Sequence, residues 1–161
     1  MYNITCNTDD NYAQHCTAML CSLFENNKDE EITVHVLCGN LSETNRQLIK
    51  DLSVRYQQQV LFHAVDESVL DGVQFRSKRP LTKAAYYRLL LSSILRDVDK
   101  VLYLDCDMIV LGKIKELFDI ELDNYALAAV LDPMLIIINI KCNCIFPRKL
   151  IHFVQALCWL T

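Results

Sequence analysis

The chain has 161 residues, 52% apolar and 22% charged, enough for one domain with a real core and too apolar for a disordered chain. A formal net charge of −4 provides no basic face and argues against a nucleic-acid binder. The longest apolar run of the C-terminal stretch, MLIIINI, is far short of the roughly 20 residues of a membrane span, so no transmembrane segment is expected.

In chain order, YNITC (2–6) reads as a strand. DNYAQHCTAMLCSLFENN (10–27) reads as a helix, with Ala13, Cys16, Leu20, Leu23 and Phe24 at helical spacing. EITVHVLCG (31–39) is a strand rich in β-branched residues that stops at Gly39. Ser42 is placed to cap the helix ETNRQLIKDLSVRY (43–56). QVLFHAVD (59–66) is a third strand, and TKAAYYRLLLSSIL (82–95) a helix offering Leu89, Leu90, Ile94 and Leu95 to the core. KVLYLDCD (100–107) and YALAAVLD (125–132) complete the strands. Strands separated by helices predict an α/β fold with a mostly parallel sheet. The three glycines, 39, 72 and 112, form no phosphate-binding loop, which argues against a P-loop or a dinucleotide fingerprint.

None of the eight cysteines is spaced C-x-x-C, and Cys142 and Cys144 form a lone C-x-C. Most of the others sit in apolar runs, where free cysteine behaves as a small buried hydrophobe. Reduced thiols and a cytoplasmic location are expected, in keeping with an opening, MYNITCNTDD, that lacks the basic-then-apolar order of a signal peptide. His15, His35, His63 and His152 show no metal spacing and read as structural or surface residues. Residues 1–132 read as the folded core. Beyond Asp132 there is no Asp or Glu, while Lys141, Arg148 and Lys149 remain. Two readings fit this tail, 133–161: a shifted reading frame, or a last strand followed by an amphipathic helix from about Lys149.

Within KVLYLDCDMIV, Asp105 and Asp107 are two apart on a strand, so they face the same way with Cα atoms about 6.5 Å apart. Two close carboxylates repel unless a cation lies near them. Hard oxygen ligands suit Mn²⁺ or Mg²⁺. The carboxyl end of a parallel strand is also where open α/β sheets bind ligands. A cation with so few protein ligands shares its shell with phosphate oxygens, which points to a nucleoside diphosphate. Taken alone, Asp-x-Asp is common in turns.

Four blocks in this order, NTDDNYAQHCTAMLCSL, ITVHVLCGNLSETNRQLI, TKAAYYRLLLSSIL and VDKVLYLDCDMIVLGKIKELFDIEL, resemble glycosyltransferase family 8 over about residues 2–132. The family includes lipopolysaccharide galactosyl- and glucosyltransferases. The resemblance implies a GT-A fold, α/β and Rossmann-like, its mostly parallel sheet flanked by helices and its C-terminal part incomplete. It implies a donor, UDP-galactose or UDP-glucose, transferred with retention to a saccharide or lipid-linked saccharide acceptor. The implied cofactor is Mn²⁺, with Mg²⁺ as the alternative, and the implied location is cytoplasmic, peripheral to the inner face of the membrane. By the same resemblance, Asp107 ligates the metal directly. Asp105 contacts the metal and the ribose, and Cys106 lends its backbone to the nucleotide. Asn7, Thr8, Asp9 and Asn11 match the loop that holds uracil and ribose, and Arg88 the arginine that reaches the sugar-nucleotide. Read without the family, Asp9, Asp10 and Asn11 start a helix, Arg88 pairs with a surface carboxylate, and Tyr86 and Tyr87 are core or wall residues.

Two departures matter. Where many family members carry a nucleotide-contacting His, this chain reads RSKRPLTK, with Pro80 near that place and Lys78, Arg79 and Lys83 as candidates for compensating charge. The family's FNAG-like segment, its Asp-Gln-Asp segment and its late metal-binding His have no clear counterpart. The expectation is a truncated hexosyltransferase of weak or no activity, with a non-catalytic nucleotide-sugar-binding domain or a remnant as the alternative. Uncovered apolar surface would then favour self-association. A metal-dependent nucleotidyltransferase fits less well, because CNTDDNY lacks the glycine- and lysine-bearing loop.

Overall fold

A computed structural model describes residues 1–71, 83–122, 125, 127–129 and 152–156, with 127, 129 and 152–156 described by their backbone. The elements are β1 (Tyr2–Thr8), α1 (Ala13–Asn26), β2 (Ile32–Cys38), α2 (Glu43–Arg55), β3 (Gln59–Ala64) and a 3-10 turn (Glu67–Leu70). A 3-10 helix (Lys83–Leu90) then runs into α3 (Leu91–Ile94), followed by β4 (Lys100–Leu104), α4 (Lys115–Phe118), β5 (Leu127–Ala129) and β6 (His152–Ala156). The expected α/β class is met. Among the described residues the sheet has six strands in the order β3-β2-β1-β4-β6-β5. Every adjacent pair is parallel.

The first five elements fall where periodicity places them, and the Ser42 side chain accepts from the Asn45 N–H as a cap. Three expectations need correction. The helix read over 82–95 is a 3-10 helix for most of its length and α-helical only at Leu91–Ile94. At its start the Ala84 carbonyl accepts from Asn7 Nδ2 and the Ala85 carbonyl from Arg88 Nε, both at 2.9 Å. These side-chain bonds compete with the longer α-helical bond for the same carbonyls. A strand occupies His152–Ala156, where a helix was read from about Lys149, because the parallel partner β4 satisfies its backbone from Lys100 to Leu104. The fifth strand, read over 125–132, does not include Tyr125; its described part, Leu127–Ala129, pairs with β6. Pro80, Lys78 and Arg79 lie outside the described residues.

Both faces of the sheet are covered. Alternate residues Ile4, Cys6, Val34 and Val36 pack with Cys16, Leu20, Phe24 and Ile49 from α1 and α2. On the opposite face Leu37, Val101 and Tyr103 pack with Ala84, Tyr87, Leu91 and Leu95. Gly39 lies hard against this second layer: a Cβ there would sit 2.5 Å from Tyr87 Oη and 2.7 Å from Glu67 Oε1. Lys83 is engaged by Asp71 at 3.0 Å and Glu67 at 3.9 Å.

The irregular segment after β4 is held by the last turn of α1. Asn27 is fully buried; its Nδ2 donates to the Leu23 and Gly112 carbonyls, and its Oδ1 accepts from the Ile114 N–H at 3.0 Å. Asn26 Nδ2 donates to the Val110 carbonyl, and Ser22 Oγ accepts from the Val110 N–H, both at 2.9 Å. On the second face His35 Nε2 donates to Asn3 Oδ1, so His35 Nδ1 accepts from His63 Nε2 at 3.0 Å. Burial and the neighbouring His63 lower the His35 pKa to about 4, and burial lowers that of His63.

Two outcomes are expected. Asn27→Ala leaves the buried Ile114 N–H without its partner, frees the part-buried Gly112 carbonyl, and lowers stability in chemical denaturation by about 1–3 kcal/mol. Because the unfolded chain binds the His35 proton at higher pH than the folded chain, acid favours unfolding from about pH 6.5 down towards 4. Thermal melts should show the midpoint falling between pH 6.5 and 5, and falling less in His35→Asn.

Candidate functional site

The chain builds β2 and β3 to one side of β1 and places β4 on the other. The connections therefore diverge at the carboxyl ends of β1 and β4, leaving a crevice of the kind that binds ligands in open α/β sheets. The β1–β4 register, Ile4 with Leu102 and Thr5 with Tyr103, brings Asn7 level with Asp105 when carried on. A cavity of about 300 Å³ opens there, lined by Asn7, Thr8, Asp9, Tyr12, Ala84, Ala85, Arg88, Asp105, Cys106 and Asp107. Seven of the eight residues singled out from the sequence thus share one cavity. The eighth, Asn11, is exposed and does not line it.

Asp9 serves the local fold as well as the cavity. Its Oδ1 accepts from the N–H groups of Asn11 and Tyr12 at 2.9 and 3.0 Å, which closes the turn leading into α1. Beside it, Asp10 Oδ1 accepts from the Ser42 N–H, Ser42 Oγ and Asn45 Nδ2, tying this loop to the start of α2. Those bonds, led by the Ser42 N–H, hold the Asp10 carboxyl below the usual carboxylate range. Asn7 is buried, and its Nδ2 bond to the Ala84 carbonyl joins β1 to the 3-10 helix.

Asp105 and Asp107 sit in different surroundings. Asp105 Oδ1 accepts from Arg88 Nη2 at 3.0 Å and from Tyr103 Oη at 2.9 Å. Asp107 is exposed and has no hydrogen-bond or ion-pair partner among the described residues. The Arg88 guanidinium lies 4.6 Å from the centroid of the Tyr103 ring, and Tyr103 Oη also bonds Asn7 Oδ1. Arg88 is therefore paired, as read without the family, and it also lines the cavity. Burial raises the Tyr103 hydroxyl well above its ordinary value and pushes the Cys106 thiol up to about 12, so both stay protonated at neutral pH. A neutral Cys106 thiol is no nucleophile.

Two tyrosines were not singled out as site residues. Tyr103 falls two residues before Asp105 on the same strand face, and that spacing was the available signal. Tyr12 is 44% exposed, with its ring on the cavity wall. Its place directly after Asn11 was the only hint. Three of the four histidines match the expectation: His15 is exposed beside Tyr12, and His35 and His63 bond one another on the sheet; the His152 side chain lies outside the described ones.

A profile of Glycosyl transferase family 8 matches residues 3–158, so the likeness continues beyond Asp132. The chain is 31% identical over 135 residues to General stress protein A of Bacillus subtilis (strain 168), covering 82% of this chain and 46% of that protein. It is 28% identical over 132 residues to a lipopolysaccharide 1,2-glucosyltransferase of Escherichia coli, covering 81% of this chain and 38% of that protein. It thus spans less than half the length of either relative. Among solved structures, the galactosyltransferase LgtC in complex with donor and acceptor sugar analogs superposes with a TM-score of 0.72 at 29% identity, covering 80% of this chain and 46% of LgtC. With a parallel sheet, a cavity at its switch point and a family match along nearly its whole length, this chain belongs to glycosyltransferase family 8 and has the GT-A fold.

Proposed function

We propose that the cavity binds the nucleotide of UDP-galactose or UDP-glucose together with Mn²⁺, as the donor side of a retaining hexosyltransferase. The observation that carries this reading is the convergence of Asp105 and Asp107 with the Asn7–Asp9 loop and Arg88 on one cavity. The carboxylates fit a hard divalent cation. Asp107 and Asp105 Oδ2 have no hydrogen-bond partner among the described residues and remain available as oxygen ligands. No group of three His, Cys, Asp or Glu among the described residues is arranged to hold a metal. Diphosphate oxygens complete the shell, which makes metal and nucleotide binding mutually dependent. Mg²⁺ satisfies the same donor set.

A bound cation supplies the positive charge that stabilises the departing diphosphate. The protein's own groups position the donor. In this reading the Asp9 carboxylate accepts from the uracil edge, and the Tyr12 ring offers a face for the base to stack on. Arg88 donates several N–H groups in a fixed fork towards the sugar-nucleotide. The backbone of Cys106 follows the nucleotide, and Thr8 stands beside it. The glucosyl- and galactosyltransferase relatives support a hexose donor and a saccharide or lipid-linked saccharide acceptor. Among the described residues no helix is long and apolar enough to cross a membrane. Action at the cytoplasmic face of a membrane, on a lipid-linked saccharide, agrees with those relatives. The chain spans 46% and 38% of the length of the first two relatives, and the proposal is of donor binding.

Calorimetry with UDP should give heat only when Mn²⁺ is present; absence of binding in both conditions, from a folded sample, removes the proposal. Asp107→Ala should weaken Mn²⁺-dependent UDP binding at least about tenfold, the loss of roughly 1.4 kcal/mol. Its melting midpoint should stay unchanged, since Asp107 is exposed and unbonded among the described residues.

A further inference from the structure

Tyr103 joins three parts of the cavity from beneath. It is 1% exposed, so its hydroxyl meets protein groups rather than bulk water. That hydroxyl contacts Asn7 Oδ1 from β1 and Asp105 Oδ1 from the end of β4. Its ring lies under the Arg88 guanidinium of the 3-10 helix. Asn7 cannot turn its amide to suit, because its Nδ2 is committed to the Ala84 carbonyl at 2.9 Å. The hydroxyl has one proton for two acceptor oxygens, and the charged Asp105 carboxylate is the stronger acceptor of it.

Both protein donors to Asp105, Arg88 Nη2 and Tyr103 Oη, reach the same oxygen, Oδ1. Oδ2 has no hydrogen-bond partner among the described residues. No side-chain oxygen among them is both buried and unpartnered, so Oδ2 is open to the cavity. Two donors on one oxygen fix the carboxylate plane and leave the other oxygen facing outward. A carboxylate free to rotate would instead spread both oxygens over many orientations, and ordering it would weaken any ligand it binds.

We infer that Tyr103 is a positioning residue for the metal-nucleotide site: its hydroxyl, with Arg88, pins Asp105 Oδ1 inward so that Oδ2 is presented to a divalent cation. This rests on the reading of Asp105 and Asp107 as cation ligands. Tyr103 touches neither cation nor nucleotide in this arrangement and acts through Asp105.

The test is a titration of Mn²⁺ at saturating UDP, following loss of the free-Mn²⁺ electron paramagnetic resonance signal. Tyr103→Phe keeps the ring under Arg88 and removes only the hydroxyl. Tyr87→Phe is the control: Tyr87 is equally buried, its hydroxyl donates to Glu67, and it does not line the cavity. Tyr103→Phe should raise the Mn²⁺ dissociation constant at least about fivefold, while Tyr87→Phe leaves it within about twofold whatever each does to the melting midpoint. Equal Mn²⁺ affinity in Tyr103→Phe and the unaltered protein overturns the inference, as does an equal loss in both variants, which would mean general loosening. If the unaltered protein binds no Mn²⁺ with UDP, the underlying reading fails first and the inference with it. Should Tyr103→Phe not fold, Asn7→Leu is compared with Asn7→Leu/Tyr103→Phe. That pair removes the acceptor that would be stranded, and only the second loses the hydroxyl on Asp105; equal Mn²⁺ affinity in the two overturns the inference.

Discussion

Parallel pairing of β1 with both β2 and β4 is the constraint on which the site depends. A central strand flanked on both sides is covered on both faces, and β1 is buried from Ile4 to Thr8, with Thr5 and Asn7 satisfied by hydrogen bonds to the His35 and Ala84 carbonyls. Parallel neighbours end on the same side. The polar residues that follow each strand, Asp9 after β1 and Asp105 to Asp107 after β4, therefore emerge together. Had β4 paired on the far side of β3, the same residues would stand three strand spacings apart, about 14 Å.

Within the crevice the two carboxylates are made unlike. Asp105 is held by a guanidinium and a buried phenol, while Asp107 stands exposed to water. Their mutual repulsion is thereby reduced in the ligand-free protein, since Arg88 offsets one charge and solvent screens the other. The tyrosine ring under Arg88 adds a further contact to that cation. The same three side chains reach β1 through Asn7, so the nucleotide loop and the carboxylate turn form one hydrogen-bonded unit.

Helix α1 fastens that unit at both ends. The turn that leads into it is closed by Asp9, a cavity residue. Its last turn binds the backbone of Val110, Gly112 and Ile114 through Asn26 and Asn27. The chain leaving Asp107 has no regular structure until Lys115, so side-chain amides substitute for the missing ladder bonds. A loop satisfied in this way stays in place beside the core without being a strand.

Much of this was legible in the sequence. Apolar periodicity located β1, α1, β2, α2 and β3, because each buries a face with a regular repeat. The Asp-Cys-Asp run after VLYL marked the carboxylates, and the ordered blocks carried the family. The 3-10 path of residues 83–90 was not legible, since Ala, Leu and Arg favour an α-helix, while the bonds from Asn7 and Arg88 to the Ala84 and Ala85 carbonyls exist only in the folded chain. Nor was β6: five residues commit to strand or helix according to the partner beside them, and β4 supplies that partner. By itself the sequence determined the element types up to β3 and the residue types at the cavity, because both follow from local periodicity and side-chain chemistry. Tertiary structure alone decided that Tyr103 meets Asn7, Asp105 and Arg88, because that contact depends on strand order and register across nearly a hundred residues of chain.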